Sequence, residues 1–543
     1  MIVVKKIIQL ISSPVVSKID GLDDPTRLAL SDAMSFIVEG HEHMGGGGWD
    51  GRSSLFDWNS GKFPSGYIPT AIAVLQQNGY EVQHLRAPLP PPLGPLPTNG
   101  NALIDDFPHD PDRDYQFKTV RTLERHGSFI ARVATGGGKS RIAALCITRI
   151  GRKTAFVTTR QVLLYQMGAC LDEAGKKVLA TLSDRQLLES LGEEISGKLK
   201  SIKCSYVGDG VWDTSGDVVL CMVQTVNDRL TPFDAPTGVT PAEVDRARQR
   251  WEDRYREVRE FCDSIEFLIA EEAHEAGGNS YYEVCKAMRK AHYRLALTAT
   301  PLMRDGESNV RLVAMFGPIR IEVSEKQLID AGILATPIFK FVTIKAPPTL
   351  RRTTAWQKAE EIGVVENMDR NKHACAEVIR ASRFGLSSLI LVKRKKHGTI
   401  VHNMLKQFGL RGAYIFGDSD KAKREDALRK LSSGEYDYLI GSTILDVGVD
   451  VPSIGLLVIL GGGKAEVTHR QRIGRSLRGK KGMPNFAFIV DFIDGYNKHT
   501  IKHAKQRRAI VEATPGFAEG ILRGNADFDY VGLGFRPILK AAA

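Results

Sequence analysis

The chain has 543 residues, of which 43% are hydrophobic and 25% charged; this balance is typical of a globular protein and excludes a disordered or fibrous one. Its seven cysteines include no CxxC pair, which favours reduced thiols, as in a cytosolic-type compartment, and argues against a zinc site. No apolar run approaches the ~20 residues that cross a bilayer, so no membrane partner is expected.

The net charge of +11 is concentrated toward the carboxyl end of the chain. Residues 336–543 carry 35 Lys and Arg against 20 Asp and Glu, a net +15, whereas residues 1–110 carry a net −5. A basic domain of this kind indicates a polyanionic partner. The alternative is a basic surface that only faces water, and charge alone does not separate the two.

Residues 1–87 are predicted to form a small α+β domain. Helices are predicted over 26–38 and 69–77, and short strands and turns lie between them. The stretch 88–110 is rich in proline and predicts a semi-rigid linker. We therefore expect a first domain boundary at this linker.

A phosphate-loop motif occupies residues 132–141, Arg-Val-Ala-Thr-Gly-Gly-Gly-Lys-Ser-Arg. A β-rich run precedes it and a helical run follows, as in the loops that bind triphosphates. Glycines let backbone N–H groups approach the phosphates, Lys139 would contact the β and γ phosphates, and Ser140 would hold Mg²⁺. The general pattern has glycine where Val133 stands, and a plain strand–helix turn is the alternative. The predicted phosphate-binding residues are Thr135, Gly136, Gly137, Gly138, Lys139 and Ser140.

Two further features are expected around this loop. Gln116, with Arg113 close by, precedes it by about one helix, where an amide can read an adenine edge because it donates and accepts at once. The alternative for Gln116 is the start of a surface helix. A charged, solvated helix is predicted over 240–262, with Thr240 and Glu243 as a capping box.

A short buried strand over 267–270 is predicted to end at Glu271-Glu272-Ala273-His274. Open parallel sheets hold their ligands at the carboxyl ends of their strands. Two adjacent carboxylates at such a place suit metal-assisted hydrolysis, in which one holds Mg²⁺ and the other orients the attacking water. An exposed acidic loop is the alternative.

A second parallel sheet is expected, because strands are predicted over 388–392, 438–442, 456–460 and 486–491 with helical runs between them. Arg472, Arg475 and Arg478 recur every three residues, and on a helix they would present one face suited to phosphate. The predicted fold class is therefore α/β, with two tandem parallel-sheet domains preceded by a small α+β domain. The predicted domains are 1–87, 111–335 and 336–495, with a basic helix and tail over 496–543.

The ordered motifs from Arg113 to Asp491 resemble those of superfamily 2 helicases, the DEAD/DEAH-like class with two RecA-like domains. The resemblance implies ATP hydrolysis with Mg²⁺, a metal place at Glu271 and a general-base place at Glu272, although the family usually has Asp at the first of these. The catalytic residues that it implies are Lys139, Glu271, Glu272, His274, Arg475 and Arg478. The resemblance also implies that Gly448 and Asp450 hold the nucleotide, together with the phosphate loop, Arg113 and Gln116. The residues at places that contact the nucleic-acid backbone are Thr159, Arg160, Gln224, Thr225, Lys393, Arg394 and Thr443.

The leading domain narrows the resemblance to phage UvsW-type helicases. The similar pieces are Trp49-Asp50-Gly51-Arg52, Leu55-Phe56-Asp57, Pro64 to Gly66, and Gly79-Tyr80. This resemblance implies branched or forked DNA as the substrate, and the host cytoplasm as the location if a phage encodes the chain. The leading domain is acidic, although its counterpart is expected to help hold duplex DNA. Contacts there would therefore be local, through Arg52, Lys62 or Arg86.

The predicted function is an ATP-dependent DNA helicase or translocase that acts on branched DNA. Other readings are a double-stranded DNA translocase subunit of a restriction or remodelling assembly, an RNA helicase, and a nucleotide-dependent clamp that does not hydrolyse ATP. RNA stays open because contacts to the backbone carry no sequence information. We also predict that a chain starting near residue 101 folds and hydrolyses ATP without the leading domain.

Overall fold

In the computed structural model, the described residues are 6–38, 49–94, 111–160, 163, 167, 171, 202–275, 278–302, 306–416, 421–441, 454–461, 470, 473–474, 476–480, 482–524 and 526–538. They fall into two compact units, a first within 1–322 and a second within 323–543, with residues 134–137 grouped with the second. Each unit contains a large sheet, and each is described by itself.

The leading segment is built on a four-stranded sheet with a short hairpin and helices beside it. The sheet has the order β5-β2-β1-β6, with β1 (Lys6–Ser12), β2 (Val16–Ile19), β5 (Lys62–Pro64) and β6 (Tyr80–Arg86). The other elements are β3 (Ser35–Ile37), β4 (Arg52–Ser54), α1 (Asp24–Ala33) and α2 (Ile68–Gln77). Only β1 and β6 pair in parallel; β1 with β2, β2 with β5 and β3 with β4 are antiparallel.

The helix predicted over 26–38 is wrong at both ends. Asp23 caps α1, because its Oδ1 accepts from the Thr26 backbone N–H at 3.0 Å, and the helix therefore starts at Asp24. After Ala33 the chain enters β3, where Phe36 is buried and Ile37 is exposed. Alternating burial is the pattern of a strand, so pairing with β4 overrides a weak helical preference.

The first unit also contains an eight-stranded sheet in the order β10-β9-β11-β8-β12-β13-β7-β14. Its strands are β7 (Ser128–Val133), β8 (Thr154–Thr158), β9 (Cys204–Gly208), β10 (Val211–Trp212), β11 (Val218–Met222), β12 (Phe267–Glu271), β13 (Tyr293–Thr298) and β14 (Ile319–Val323). The six strands from β9 to β7 in this order are parallel. Five of them agree to within one or two residues with the strands that the sequence predicts over 128–133, 154–159, 218–223, 267–270 and 294–297; β9, β10 and β14 are additions.

The helices of this part are α3 (Tyr115–His126), α4 (Lys139–Ile150), α5 (Val223–Leu230), α6 (Pro241–Ser264), α7 (Asn279–Ala287) and α8 (Gly306–Phe316). The predicted charged helix is confirmed as α6. Its capping box is present, because the Thr240 backbone N–H donates to Glu243 Oε2 at 2.8 Å. Three of its residues, Val258, Phe261 and Cys262, are buried, so most of its surface faces water.

The leading segment and the eight-stranded sheet share one hydrophobic core. Leu10 and Leu75 belong to the same buried cluster as Leu312 and Phe316 of α8. The Tyr67 hydroxyl donates to the Val310 carbonyl oxygen at 3.3 Å. The start of the proline-rich stretch is also tied down, since Leu93 and Gly94 donate to the carbonyls of Ile150 and Arg149, each at 3.0 Å.

The second unit is built on a six-stranded, fully parallel sheet in the order β15-β20-β19-β16-β18-β17. Its strands are β15 (Thr336–Ile344), β16 (Ser388–Leu391), β17 (Gly412–Ile415), β18 (Tyr438–Gly441), β19 (Leu456–Ile459) and β20 (Phe486–Asp494). Its helices are α9 (Glu325–Asp330), α10 (Trp356–Glu360), α11 (Met368–Ser382), α12 (Lys395–Gln407), α13 (Lys421–Ser432) and α14 (Lys498–Glu512). The predicted α/β class with two parallel sheets is confirmed.

Short helical turns complete the described elements. Four are 3₁₀ turns, Ser65–Tyr67, Pro111–Arg113, Ala273–Glu275 and Ala518–Gly520, and one is a π-helical turn, Glu361–Val365. The six described cysteines carry free thiols. Within the described ranges, no helix has the length and apolarity needed to cross a bilayer.

Candidate functional site

The predicted motifs of the first unit meet at one edge of the eight-stranded sheet. The strand order β11-β8-β12-β13-β7 sets the carboxyl ends of five parallel strands side by side. In that order, the segments that follow the strands are Gln224 with Thr225, Thr159 with Arg160, Glu271 to His274, Thr298 to Thr300, and the loop 134–138. We call this the carboxyl edge.

The phosphate loop has the backbone that its glycines predict. Gly136 and Gly138 have φ values of 89° and 80°, in the left-handed region where a side chain is strained. Gly138 is the N-cap of α4, so Lys139 and Ser140 open a helix whose positive end faces the loop. Val133 is fully buried at the end of β7, which explains why an apolar residue stands at this position.

The two residues predicted to contact adenine lie beside this loop. A Cβ at Gly138 would lie 2.7 Å from Gln116 Nε2 and 4.0 Å from Arg113 Nη1. Gln116 is buried in the first turn of α3, which excludes the alternative of an exposed helix start. The lack of a side chain at Gly138 therefore leaves room for the amide beside the loop.

A chain of polar contacts joins the phosphate loop to β13. Lys139 Nζ lies 4.0 Å from Glu272 Oε1, and His274 Nδ1 lies 3.3 Å from Glu272 Oε2. The same Nδ1 lies 3.2 Å from Thr298 Oγ1, which accepts from the Thr300 backbone N–H at 3.2 Å. His274, Thr298 and Thr300 are all buried. The chain of contacts therefore connects the phosphate loop to β13 through groups that are largely shielded from water.

Glu271 has the features of a metal-ligand carboxylate. It is 4% exposed, and its Oε2 has no hydrogen-bond partner among the described residues. Burial raises the pKa of Glu271, more than nearby Lys139 lowers it. A divalent cation would supply the missing partner and reverse this shift. Mg²⁺, held through Ser140 and Glu271, therefore fits this chain.

The described residues contain no group of three or more His, Cys, Asp or Glu that could hold a metal ion unaided. Mg²⁺ in phosphate-binding sites is commonly held by one or two carboxylates together with substrate phosphates and water. The site is therefore suited to Mg²⁺ that arrives with a nucleotide. Tyr281 fixes the Glu271 backbone, because its hydroxyl donates to the Glu271 carbonyl oxygen at 3.1 Å.

Glu272 differs from its neighbour in both backbone and charge. Its φ is 49°, in the left-handed region that a non-glycine residue adopts at a cost of roughly 1–3 kcal/mol. Burial raises the pKa of Glu272, but Lys139 and the neighbouring His274 outweigh burial and lower it. Glu272 is thus held ionised beside a cation, as a general base requires.

Glu275, which no sequence motif indicates, links the predicted nucleic-acid residues Thr159 and Arg160 to this series of polar contacts. It accepts a hydrogen bond from the Thr159 hydroxyl, and its Oε1 lies 3.0 Å from Arg160 Nη2 and 3.9 Å from His274 Nε2. The signal was its place one residue after His274, in the 3₁₀ turn Ala273–Glu275. An acidic residue there can bridge β8 and β12, which are neighbours in the sheet.

In the part of the second unit after residue 322, three predicted residues have described side chains. Lys393 Nζ lies 3.1 Å from Glu360 Oε1, and Arg394 Nη2 lies 2.6 Å from Glu360 Oε2; Glu360 is only 2% exposed. Arg478 is half-buried, burial lowers its pKa, and its backbone bridges to Leu334. Thr443, Gly448, Asp450, Arg472 and Arg475 lie outside the described residues.

Two protein-family models match the chain. Residues 110–303 match "Type III restriction enzyme, res subunit", and residues 370–480 match "Helicase conserved C-terminal domain". Together they cover more than half of the chain.

Among curated proteins, the chain is 23% identical over 486 residues to the ATP-dependent DNA helicase UvsW of Enterobacteria phage T4, which covers 87% of this chain and 88% of that protein. It is 27% identical over 280 residues to the DNA 3′-5′ translocase XPB2 of Sulfurisphaera tokodaii, covering 46% and 62% of the two chains.

Among solved structures, a fragment described as a candidate HsdR subunit of a type I restriction enzyme from Vibrio vulnificus YJ016 superposes with a TM-score of 0.50 at 17% identity. The superposition covers 76% of this chain and 68% of that one, and it supports the fold. The motifs, the two parallel sheets and the sequence matches agree: the chain is a superfamily 2 helicase, an ATP-hydrolysing DNA helicase related to phage UvsW.

Proposed function

We propose that the chain is a motor that uses ATP hydrolysis to move along the DNA backbone and acts on branched or forked DNA. The observation that carries the proposal is the continuous chain of polar contacts at the carboxyl edge. It runs from Lys139 through Glu272 and His274 to Thr298, and His274 also lies beside Glu275, which holds Thr159 and Arg160. The residues proposed for hydrolysis and for nucleic acid thus share one buried histidine.

The roles in hydrolysis follow from the charges. Glu272, ionised beside Lys139, accepts a proton from the attacking water. Lys139 places its ammonium on the β and γ phosphates, and Gln116 with Arg113 holds the base. Ser140 and Glu271 hold Mg²⁺, which neutralises phosphate charge when it is bound.

Movement requires that the state of the nucleotide changes the grip on DNA. His274 lies 3.3 Å from the carboxylate of Glu272 and 3.9 Å from that of Glu275. A change of charge at Glu272 during proton transfer alters the balance between these contacts. Thr159 and Arg160, which share Glu275, then shift their hold on the backbone.

The second unit is proposed to complete the site with Arg475, Arg478, Gly448 and Asp450, by resemblance to the family. Arginines that reach the transferred phosphate act on charge that develops in the transition state. Thr443, Lys393 and Arg394 would contact the backbone together with Gln224 and Thr225. Closure of the two units around ATP would assemble the site, and hydrolysis would release it.

Branched DNA is proposed from the similarity to UvsW, which extends over 87% of the chain, and from the leading-segment pieces similar to the UvsW type. If a phage encodes the chain, it acts in the host cytoplasm. The deciding experiment measures ATP turnover in parallel with duplex, single-stranded, forked and four-way DNA and with RNA. We expect the greatest stimulation by forked and four-way DNA; equal stimulation by RNA would contradict the proposal.

A second candidate function is a double-stranded DNA translocase within a restriction or remodelling assembly. The match of residues 110–303 to a restriction-enzyme subunit family, and the similarity to a protein named as a DNA translocase, favour it. Triplex displacement measured beside strand separation divides the two. Displacement of a third strand without separation of a fork would favour the translocase.

A further inference from the structure

A cleft of about 340 Å³ lies within the first unit, where the leading segment packs against the eight-stranded sheet. Three histidines and two arginines line it: His84, Arg86, His126, His292 and Arg320. We call these five residues and the space between them the basic cleft. They come from four separate stretches of sequence, so no single sequence motif indicates this site.

The leading segment contributes one wall through the ends of β1 and β6. Ser12 pairs with Arg86 and Leu10 pairs with His84 in this parallel ladder, so His84 and Arg86 share a face of the sheet. On that face Leu10 is fully buried, whereas His84 and Arg86 lie at the exposed end of β6 and line the cleft. Ser12 Oγ lies 2.8 Å from His84 Nε2, which orients the imidazole.

The other wall comes from the amino ends of the central strands. His126 ends α3 just before β7, His292 directly precedes β13, and Arg320 lies in β14. β13 then runs six residues to Thr298, which spans roughly 20 Å. The basic cleft is therefore at the opposite edge of the sheet from the phosphate loop, and it is not part of the nucleotide site.

The charge of the cleft has one sign. Among the described residues that line it there is no Asp or Glu, and the other lining side chains include Ser12, Ser65 and Ser128. Clustered cations without facing carboxylates are suited to an anion with several acceptor oxygens. Among the same residues there is no Phe, Tyr or Trp, so the cleft lacks the larger aromatic rings on which bases commonly stack.

We propose that the basic cleft binds a phosphate of the DNA backbone, and so holds one arm of the DNA against the leading segment. The inference rests on the proposed function, because it takes the phosphate from the nucleic acid on which the motor acts. It also gives the acidic leading segment a specific, local DNA contact. Arg86 and Arg320 supply permanent charge, and the three imidazoles supply hydrogen bonds.

The surroundings of the histidines predict the direction of the pH dependence. Burial and then Arg86 lower the pKa of His84; burial, Arg320, Arg125 and Arg86 lower that of His126. Burial, Arg86 and Arg152 lower the pKa of His292, and Glu266 opposes them. Without a ligand the imidazoles are therefore mostly neutral near pH 7. A phosphate favours their protonated form, so affinity should rise as pH falls from 8 toward 6.

The first test is protection of the wild-type chain from diethyl pyrocarbonate, which modifies neutral imidazoles. Modification of His84, His126 and His292 is read by mass spectrometry of peptides, with forked DNA, with inorganic phosphate, or with neither. We expect protection by DNA, and weaker protection by millimolar phosphate. Protection by phosphate but not by DNA would overturn the assignment to DNA, and protection by neither would overturn the site.

The second test compares two variants without nucleotide. The Arg86→Gln/Arg320→Gln double variant should bind a fluorescein-labelled fork about tenfold more weakly, and its salt slope should fall by about 0.9 for each DNA phosphate that the protein no longer neutralises. Arg250→Gln, an exposed arginine on α6 whose Nε donates to the carbonyl of Arg246, is the control. Unchanged affinity and salt slope in the double variant would overturn the proposal. Failure of the proposed function gives a different result, a wild-type chain whose ATP turnover responds to no nucleic acid.

Discussion

The two edges of the eight-stranded sheet arrange charge in opposite ways. At the carboxyl edge, Lys139 faces Glu272, and Glu271 lies beside them, so acids outnumber the lysine and every group is largely buried. In the basic cleft, cations converge from both walls without a facing acid among the described lining residues. The first arrangement supports proton transfer and takes up a cation with its nucleotide. The second is suited to an anion.

This difference predicts a separation of roles. Substitutions of Lys139, Glu271 or Glu272 at the carboxyl edge should change the rate of ATP turnover, because these groups are proposed to act on the reacting phosphate. Substitutions in the basic cleft should change the affinity for DNA and its salt dependence. A variant of the basic cleft that mainly slows ATP turnover would contradict this separation of roles.

The largest effect is expected from Arg478→Ala. The carboxyl edge has more acidic side chains than lysines, and in the proposed function Arg478 brings a positive charge to it from the second unit. Turnover of bound ATP should fall by about 10³–10⁵, the effect of an arginine finger, while ATP affinity changes little. Single-turnover rates and nucleotide binding measure the two. Arg508→Ala, an exposed arginine paired with Glu512 on α14, is the matched control. Lost affinity with normal turnover of bound ATP would contradict the assignment.

The next largest effect is expected from Glu272→Gln, which removes the ionised carboxylate but keeps its size. Turnover should fall by about 10²–10⁴, the usual contribution of a general base, while ATP still binds. Glu271→Gln is the matched comparison and should mainly raise the Mg²⁺ concentration that turnover requires, because it replaces a proposed Mg²⁺ ligand with a neutral amide. A titration of turnover against Mg²⁺ separates the two variants. The reverse pattern would exchange their roles.

The parts of the fold and of the site that depend on local sequence patterns could be predicted from the sequence. Strands β7, β8, β11, β12 and β13 were predicted because each is a continuous apolar run, and the phosphate loop because its spacing is fixed by the phosphates. Strands β9 and β10 were missed because they are short and mixed in polarity, and β14 because it alternates at an edge of the sheet.

What could not be predicted depends on distant pairing. The basic cleft needs His84 beside His126 and His292, which only the packing of the leading segment on the sheet provides. The left-handed backbone conformation of Glu272 could not be predicted from the sequence either, because nothing in its residue type favours a φ of 49°. The nucleic-acid role of Lys393 and Arg394 remains a prediction; the structure adds their shared contact with Glu360.

A moderate effect is expected from Gln116→Ala, which tests whether the buried amide beside Gly138 reads the base. The KM for ATP should rise about tenfold, which corresponds to about 1.4 kcal/mol, and the preference for ATP over GTP should fall. Maximal turnover should change little, since the base is remote from the reacting phosphate. Gln83→Ala, an exposed glutamine on β6, is the control. An unchanged ATP to GTP preference would remove Gln116 from the site.

The smallest effect on ATP turnover is expected from Gly66→Ala, which acts at the wall of the basic cleft. A Cβ at Gly66 would lie 1.9 Å from the Val313 carbonyl oxygen of α8, so the leading segment must move away from the motor. Gly306→Ala, at the start of the same helix, is the matched control, since its Cβ would meet only Phe36 Cβ at 3.9 Å. Overpacking of this kind costs roughly 1–3 kcal/mol.

Gly66→Ala should therefore lower the unfolding temperature and weaken fork binding, whereas Gly306→Ala should do neither. Turnover with single-stranded DNA should stay close to wild type, because the carboxyl edge lies across the sheet from Gly66. The shared core of Leu10, Leu75, Leu312 and Phe316 also bears on the predicted chain that starts near residue 101. Removing the leading segment would expose apolar surface on α8, so we expect that truncation to cost more stability than Gly66→Ala does. If Gly66→Ala instead abolishes turnover on every DNA while the protein remains folded, the two edges are coupled and the proposed separation of roles is wrong.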